Sequence, residues 1–206
     1  MFSKIMKDQK QVWNEIAPEW DEFKTEPSEY IIKFLKKQKG KVLDLGSGSG
    51  RHLVSIKNGK MYLVDFSEKM IKLAKQRAKK MKIDAEFYVC DLTNLPFKDD
   101  FFDSAIMISS LHCIKGEKKR EEAVKELFRV LKPKAKAEIG VWDKNSTRFK
   151  KSPKEKYVKW RDKGERYYYL FDEDEVHKLF EKNGFKIIST HNSGLMINFA
   201  VEKIIS

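Results

Sequence analysis

Three glycines at alternate positions in Asp44-Leu45-Gly46-Ser47-Gly48-Ser49-Gly50 follow the short run Lys41-Val42-Leu43, and aspartates come after them at Asp65 and Asp91. An apolar run that ends in glycines is a buried strand feeding a tight turn, and the missing β-carbons let a ligand approach the backbone closely. The dinucleotide fingerprint G-x-G-x-x-G would place a pyrophosphate on a helix N-terminus. Here the third glycine comes one residue early, and Asp44, two residues ahead of the first, would repel a diphosphate. S-adenosylmethionine carries no phosphate, and its amino-acid end presents an ammonium that a carboxylate attracts. The turn therefore predicts an S-adenosylmethionine site built from Asp44, Gly46, Ser47, Gly48 and Gly50. A dinucleotide site and a glycine turn without ligand are the competing readings.

In open parallel sheets a ligand lies across the carboxyl ends of the strands, so residues at those ends matter most. One carboxylate at Asp65 can accept from both ribose hydroxyls, and the adjacent Phe66 offers a ring face to adenine. Asp91 can accept from the adenine amino group, with the Leu92 backbone placed to reach a ring nitrogen. Each aspartate alone could be a helix cap or a solvated loop residue, but three after three successive strands form a set. Ser109 closes the fourth strand on the cofactor side. His112, just beyond it, faces the transferred group in such an arrangement, either as a substrate contact or as a structural hydrogen-bonder. Arg51 and His52 either join the site or start a helix.

The elements that must hold these residues alternate. Helices are expected at residues 10–16 and 28–38, then strands at 42–45, 61–64, 85–90, 104–109 and 137–141, with intervening helices at 52–56, 67–80 and 117–131 and a further one at 172–183. Ser67 reads as a helix N-cap and Gly184 as a terminating glycine. Two closing strand-like runs, 185–190 and 196–204, flank the turn signal Asn192-Ser193-Gly194. This order predicts an α/β protein with the class I methyltransferase (Rossmann-like) fold. Its sheet is mostly parallel and seven-stranded, with a C-terminal antiparallel hairpin and helices on both faces.

With 206 residues the chain suits one domain spanning 1–206, in which 143–169 is an insertion after the fifth strand. No run of eighteen apolar residues occurs, and the first eight residues lack a signal-peptide core, so no membrane association and a cytoplasmic location are expected. Cys90 and Cys113 have no metal-like spacing and read as small buried hydrophobes; no metal site is expected.

The formal net charge is +12, and from Lys144 to Arg166 ten Lys or Arg face three acids, a net +7 in 23 residues. Aromatic residues interleave with these cations. That combination suits a surface holding phosphates and stacked, unpaired bases, with Lys150, Lys151, Lys154, Tyr157, Trp160, Tyr167 and Tyr168 as candidate RNA contacts. A solvated amphipathic helix from 153 to 163 is the alternative.

Val12-Trp13-Asn14-Glu15-Ile16-Ala17-Pro18, the Asp44 to Gly50 turn, Asn94-Leu95-Pro96-Phe97, Ser110-Leu111-His112 and Glu165-Arg166-Tyr167-Tyr168-Tyr169-Leu170-Phe171 together resemble the tRNA wobble-uridine carboxymethyl methyltransferases. Ser47 stands where that family commonly has a cysteine, and Cys113-Ile114 replaces a paired aromatic or histidine. The resemblance implies S-adenosylmethionine as methyl donor, tRNA as partner, and esterification of a carboxymethyl group. It also implies a small zinc-ribbon activator protein, expected along the edge made by the third strand. A carboxylate nucleophile is already ionised and needs no general base. A positioned cation is then the useful group, and Arg166, flanked by Tyr167 and Tyr168, fits that role beside His112. Two other functions stay open: a small-molecule methyltransferase of the quinone or metabolite type, and a non-catalytic RNA-binding subunit with this fold.

Overall fold

The computed structural model describes residues 8–204; the first seven residues, part of the N-terminal stretch read above, lie outside them. Helices α1 (Gln9–Phe23) and α2 (Glu29–Leu35) precede an alternation of β1 (Lys39–Leu45), β2 (Lys57–Asp65), α3 (Glu68–Met81), β3 (Ala85–Val89), β4 (Phe102–Ile108), α4 (Glu117–Val130) and β5 (Leu131–Trp142). Then come β6 (Glu155–Trp160), β7 (Gly164–Tyr169), α5 (Glu173–Glu181), β8 (Phe185–Thr190) and β9 (Met196–Lys203). The main sheet has seven strands in the order β3-β2-β1-β4-β5-β9-β8. Strands β1 to β5 run parallel, and β9 pairs antiparallel with both β5 and β8. This is the expected class I architecture.

Period-two alternation divides the core between the two faces. Val42, Met61, Leu63, Ile106 and Ile108 pack with Ile31 and Leu35 of α2 and with Ala74 and Ala78 of α3. Their neighbours Leu43, Tyr62, Val64, Ala105 and Met107 pack on the other face with α4 and α5 through Val124, Leu127, Val176 and Phe180. Ser67 caps α3 by accepting from the Met70 N–H at 3.1 Å. Asp172 and Glu175 form a reciprocal capping box on α5.

The structure departs from the expected elements twice. No helix forms over 52–56. β2 begins at Lys57 rather than Met61, and the short connection runs as turn and extended chain whose Leu53 and Ile56 bury against α2. The segment 153–163 is not a helix either. β6 and β7 pair as an antiparallel hairpin in which Tyr157 opposes Tyr167 and Val158 opposes Arg166, with Arg161 at φ +49° in the turn. Strand alternation explains it, because this hairpin has apolar partners on both faces. Tyr167 and Tyr169 face α4, where the buried Arg120 guanidinium stacks 3.8 Å from the Tyr169 ring centre. Val158, Trp160 and Tyr168 face α1, joining Trp13, Ile16 and Trp20.

Helix α1 closes over the glycine turn through polar ties. Asn14 Oδ1 accepts from Ser67 Oγ at 2.7 Å. Arg77 of α3 donates to the Ser49 carbonyl at 3.1 Å and pairs with Asp21. No helix among the described residues is long and apolar enough to cross a membrane.

Candidate active site

A cavity of about 900 Å³ opens at the carboxyl ends of β1, β2, β3, β4 and β5, a size typical of ligand sites. Its floor is the glycine turn. Gly46 and Ser47 both donate from N–H to the Val64 carbonyl, at 2.8 and 2.9 Å, folding the turn back on β2. Gly46 sits at φ +80°, and a β-carbon there would lie 2.2 Å from Ser110 Cβ, so no other residue fits without moving β4's end. Gly48, at φ +55°, would place a β-carbon in open space. Its bareness keeps the cavity clear.

Asp65 holds this turn in shape. Its Oδ2 accepts from the Gly48 N–H and its Oδ1 from the Ser67 N–H, both at 2.9 Å. Each oxygen keeps a second lone pair for a ribose hydroxyl. Burial raises Asp65 to about 6 despite these hydrogen bonds. Asp44 lies 2% exposed with its Oδ2 unpartnered, and burial raises it to about 7, with Arg51 drawing it down and Asp65 pushing it up. A buried carboxylate oxygen without a partner beside a glycine cradle is what an ammonium-bearing ligand satisfies. The donor set therefore fits the amino-acid end of S-adenosylmethionine.

Phe66, Asp91, Leu92 and Ser109 line the cavity with Asp65, Gly46, Ser47 and Gly48, whereas Asp44 and Gly50 lie behind that lining, Asp44 buried beneath the turn. Asp91 Oδ1 accepts from the N–H and hydroxyl of Thr93, at 2.9 and 2.8 Å, which fixes the carboxylate and leaves Oδ2 to the cavity side. Ser109 adopts φ +61° at the end of β4 and donates from its N–H to the Gly140 carbonyl. His112 is buried, and burial lowers it to about 3, so it is neutral. Its Nδ1 accepts from the Trp142 N–H at 3.1 Å, which places the ring hydrogen on Nε2. It is a donor and not a proton acceptor.

The opposite wall is aromatic. Trp142 stacks on Tyr168 with ring centres 4.1 Å apart, on His112 at 5.1 Å and on Phe149 at 4.8 Å. Tyr168 lines the cavity; Arg166 lies behind it. The Arg166 guanidinium is caged by Trp160 at 4.8 Å, Trp20 at 5.0 Å and Trp13 at 5.9 Å, and its Nη1 donates to the Tyr168 hydroxyl at 2.7 Å. Its Nε has no partner, and burial lowers its pKa. Arg166 thus acts on the cavity through the Tyr168 O–H, which becomes a stronger donor because its oxygen accepts from a cation.

The structure does not bring the other RNA contacts expected in the insertion to the cavity. Tyr167 points the other way along β7, with Arg120 Nη1 3.5 Å from its hydroxyl. Trp160 donates from Nε1 to Glu19 at 2.7 Å and packs on Trp20 and Phe23. Tyr157 sits half-buried over Tyr167. Lys154 pairs with Asp172 and Glu175, both at 2.7 Å, at the start of α5. Lys150 and Lys151 are exposed, away from the cavity lining.

Sequence reasoning missed Lys24, Trp142 and Arg148, all of which line the cavity. Trp142 was within reach of the strand-end rule, since it is the last residue of β5. Lys24 and Arg148 follow from tertiary packing alone.

Residues 42–134 match the family model described as a methyltransferase domain. A probable tRNA methyltransferase 9B from Homo sapiens is 31% identical over 135 residues, covering 64% of this chain and 28% of that protein. The chain thus spans under a third of the length of that relative. A tRNA (carboxymethyluridine(34)-5-O)-methyltransferase from Schizosaccharomyces pombe is 28% identical over 208 residues, covering 86% of this chain and 88% of the other. Among solved structures, a SAM-dependent methyltransferase from Methanosarcina mazei superposes with a TM-score of 0.72 at 24% identity, covering 88% of this chain and all of that one. The strand order, the glycine turn over a shared cavity and the match over 42–134 lead to one conclusion: this chain carries a methyltransferase domain set in the complete class I fold.

Proposed function

We propose that the protein transfers a methyl group from S-adenosylmethionine to tRNA, esterifying a carboxymethyl group on the wobble uridine. The observation that carries this is the pairing, in one cavity, of a carboxylate and glycine cradle for the cofactor with an aromatic wall backed by a cation. The Schizosaccharomyces pombe relative, aligned over most of both chains, bears that activity in its name.

When bound, S-adenosylmethionine supplies a methyl on a positively charged sulfur, displaced in line by a carboxylate oxygen without any general base. The protein's task is then alignment and exclusion of water. Asp44 would attract the amino-acid end of the cofactor and Asp65 would hold its ribose, with Phe66, Asp91 and Leu92 around its base. Trp142 and Tyr168 offer ring faces to the uracil, while the Tyr168 hydroxyl and His112 Nε2–H donate to the carboxylate. Arg166 is a positioning residue that orients and polarises Tyr168. A neutral His112 suits this chemistry, which moves no proton.

The proposal extends to a partner. β3 is an edge of the sheet, and Val89 on it is 44% exposed. An uncovered, weakly charged edge strand invites pairing by another chain, and a zinc-ribbon activator is the partner proposed here.

Mass spectrometry of nucleosides from tRNA of a strain lacking the protein is the direct test. The wobble carboxymethyl nucleoside should accumulate unesterified, and the product made by the purified protein should be labile to alkali. An alkali-stable methyl product would sink the ester reading.

A further inference from the structure

We propose that Lys24 and Arg148, with Arg51 beside them, form a phosphate subsite at the mouth of the cavity, taking a phosphodiester of the substrate strand next to the methylated nucleoside. The proposal rests on the RNA reading above and names how that substrate is gripped. The three cations line one cavity yet belong to three separate parts of the chain: the C-cap of α1, the loop after the glycine turn, and the loop between β5 and β6. Neither Lys24 nor Arg148 has an ion pair among the described residues. Their contacts are rings: the Lys24 ammonium lies 5.3 Å from the Phe23 ring centre, and the Arg148 guanidinium 5.3 Å from that of Phe149.

Of the other basic residues near the cavity, Lys115 and Lys119 also line it, Lys115 lying over the Tyr157 ring, while others are paired with acids. Lys10 pairs with Glu68, Lys154 with Asp172 and Glu175, and Arg161 with Glu19. The Lys24 ammonium is held below the ordinary lysine range by burial and then by the charges of Arg51, Arg148 and Arg166, with no acid among its causes. Arg51 has Asp44 as counter-charge, but Lys24 and Arg148 have no acid partner among the described residues, and a bound anion relieves their mutual repulsion.

Two anions could answer that description: a phosphodiester of the substrate, or the carboxylate of the cofactor. Arg51 adjoins Asp44 and sits on the cofactor side. Arg148 lies over Phe149, whose ring stacks on Trp142 in the aromatic wall. Lys24 caps α1 and Arg148 lies in the loop after β5, both apart from the glycine turn and the Asp65 end of β2. This favours the phosphodiester.

The test uses the full chain as wild type, Lys24→Ala, Arg148→Ala and the double variant, each titrated with an anticodon stem-loop RNA over a range of salt. Each single variant should lower the slope of log affinity against log salt by about 0.7, the value for one single-strand phosphate, and the double variant by no more than that. Affinity for S-adenosylhomocysteine should stay within about twofold, a change small on the affinity scale. An RNA with one neutral methylphosphonate linkage beside the target nucleoside should weaken binding to the wild type and leave the double variant indifferent.

Loss of S-adenosylhomocysteine binding with an unchanged RNA slope would assign the cations to the cofactor carboxylate and overturn the proposal. Additive slope losses would mean two phosphates and overturn the single subsite. If the wild type binds no RNA, the RNA reading fails, and inorganic phosphate followed by tryptophan fluorescence then decides the subsite. Saturable binding lost in the double variant keeps an oxyanion site for another phosphorylated substrate; no saturation removes it.

Discussion

At the scale of single residues, Asp44 governs how the site responds to pH. Its folded value of about 7 lies above the ordinary 3.8, chiefly through burial. An ammonium favours the ionised form, so below pH 7 binding must expel a proton, and affinity for S-adenosylhomocysteine should fall as pH drops from about 7 toward 5, by up to about tenfold per unit. Asp44→Asn should flatten this profile, and calorimetry in buffers of different ionisation heat should register the proton release. For folding without ligand, a carboxylate raised on folding costs stability that grows as pH rises from about 4 to 7. Asp44→Asn should therefore stabilise the ligand-free protein by up to about 4 kcal/mol at pH 8 and by almost nothing at pH 4. Urea melts at the two values check the sign.

Arg166 and Tyr168 make a second prediction at this scale. If the guanidinium works through the hydroxyl, Arg166→Ala and Tyr168→Phe should each reduce kcat by about a hundredfold, and the double variant little further. Arg166→Lys should recover only part of the activity, because an ammonium stacks less well among Trp13, Trp20 and Trp160. All of these variants should retain S-adenosylhomocysteine binding. Fully additive losses would show that Arg166 meets the substrate independently.

Among the elements, the β6-β7 hairpin and the β3 edge have different jobs. The hairpin wedges between α1 and α4, so Tyr168 joins the cavity wall while its other aromatic residues seal the core and the α1 side. The β3 edge carries Phe87, packed against the α2 and α3 side, and Tyr88, packed against the other face. Only Val89 among its apolar side chains is exposed enough to be changed without opening the core. Val89→Lys should weaken binding of a zinc-ribbon activator at least about tenfold while shifting Tm by no more than about 2 °C; because Val89 also lines the cavity, affinity for S-adenosylhomocysteine is measured alongside and should change far less. Hydrogen exchange should show the outward-facing β3 amides, those not bonded to β2, protected only when the activator is present. Outward-facing amides already protected in the isolated chain would remove this edge as the docking site.

For the molecule as a whole, the net charge of +12 sets long-range attraction to a polyanion. Its basic residues nonetheless divide by context. Lys150 and Lys151 are exposed without ion pairs among the described residues, whereas Lys154 ties the hairpin to α5. Replacing Lys150 and Lys151 by Ala should lower the salt slope of tRNA binding by about 1.4, two single-strand phosphates. Lys154→Ala should leave the slope alone and cost stability instead, read as a lower urea midpoint. A slope that follows Lys154 would place the RNA path over α5.

Much of this architecture is written in local chemistry. The strand alternation of Val42 to Leu45, Met61 to Val64 and Ser104 to Ile108, the Ser67 cap and the glycine turn each follow from neighbouring residues, because backbone sterics, side-chain period and capping act over a few positions. The cofactor end of the cavity was legible for the same reason: Asp44, Asp65 and Asp91 sit at strand ends, and a parallel sheet brings strand ends together. Residues 52–56 and 153–163 escaped because both patterns suit either helix or extended chain, and burial against α2 in one case and between α1 and α4 in the other decided between them. Charge and aromaticity marked the insertion as a unit, but which side chain points inward depends on strand register. Register sent Tyr168 to the cavity, Tyr167 to Arg120 and Arg166 behind the wall. Lys24 and Arg148, 124 positions apart, line one cavity only when the sheet, α1 and the insertion close on one another. Their proximity is a property of long-range packing, which no local pattern encodes.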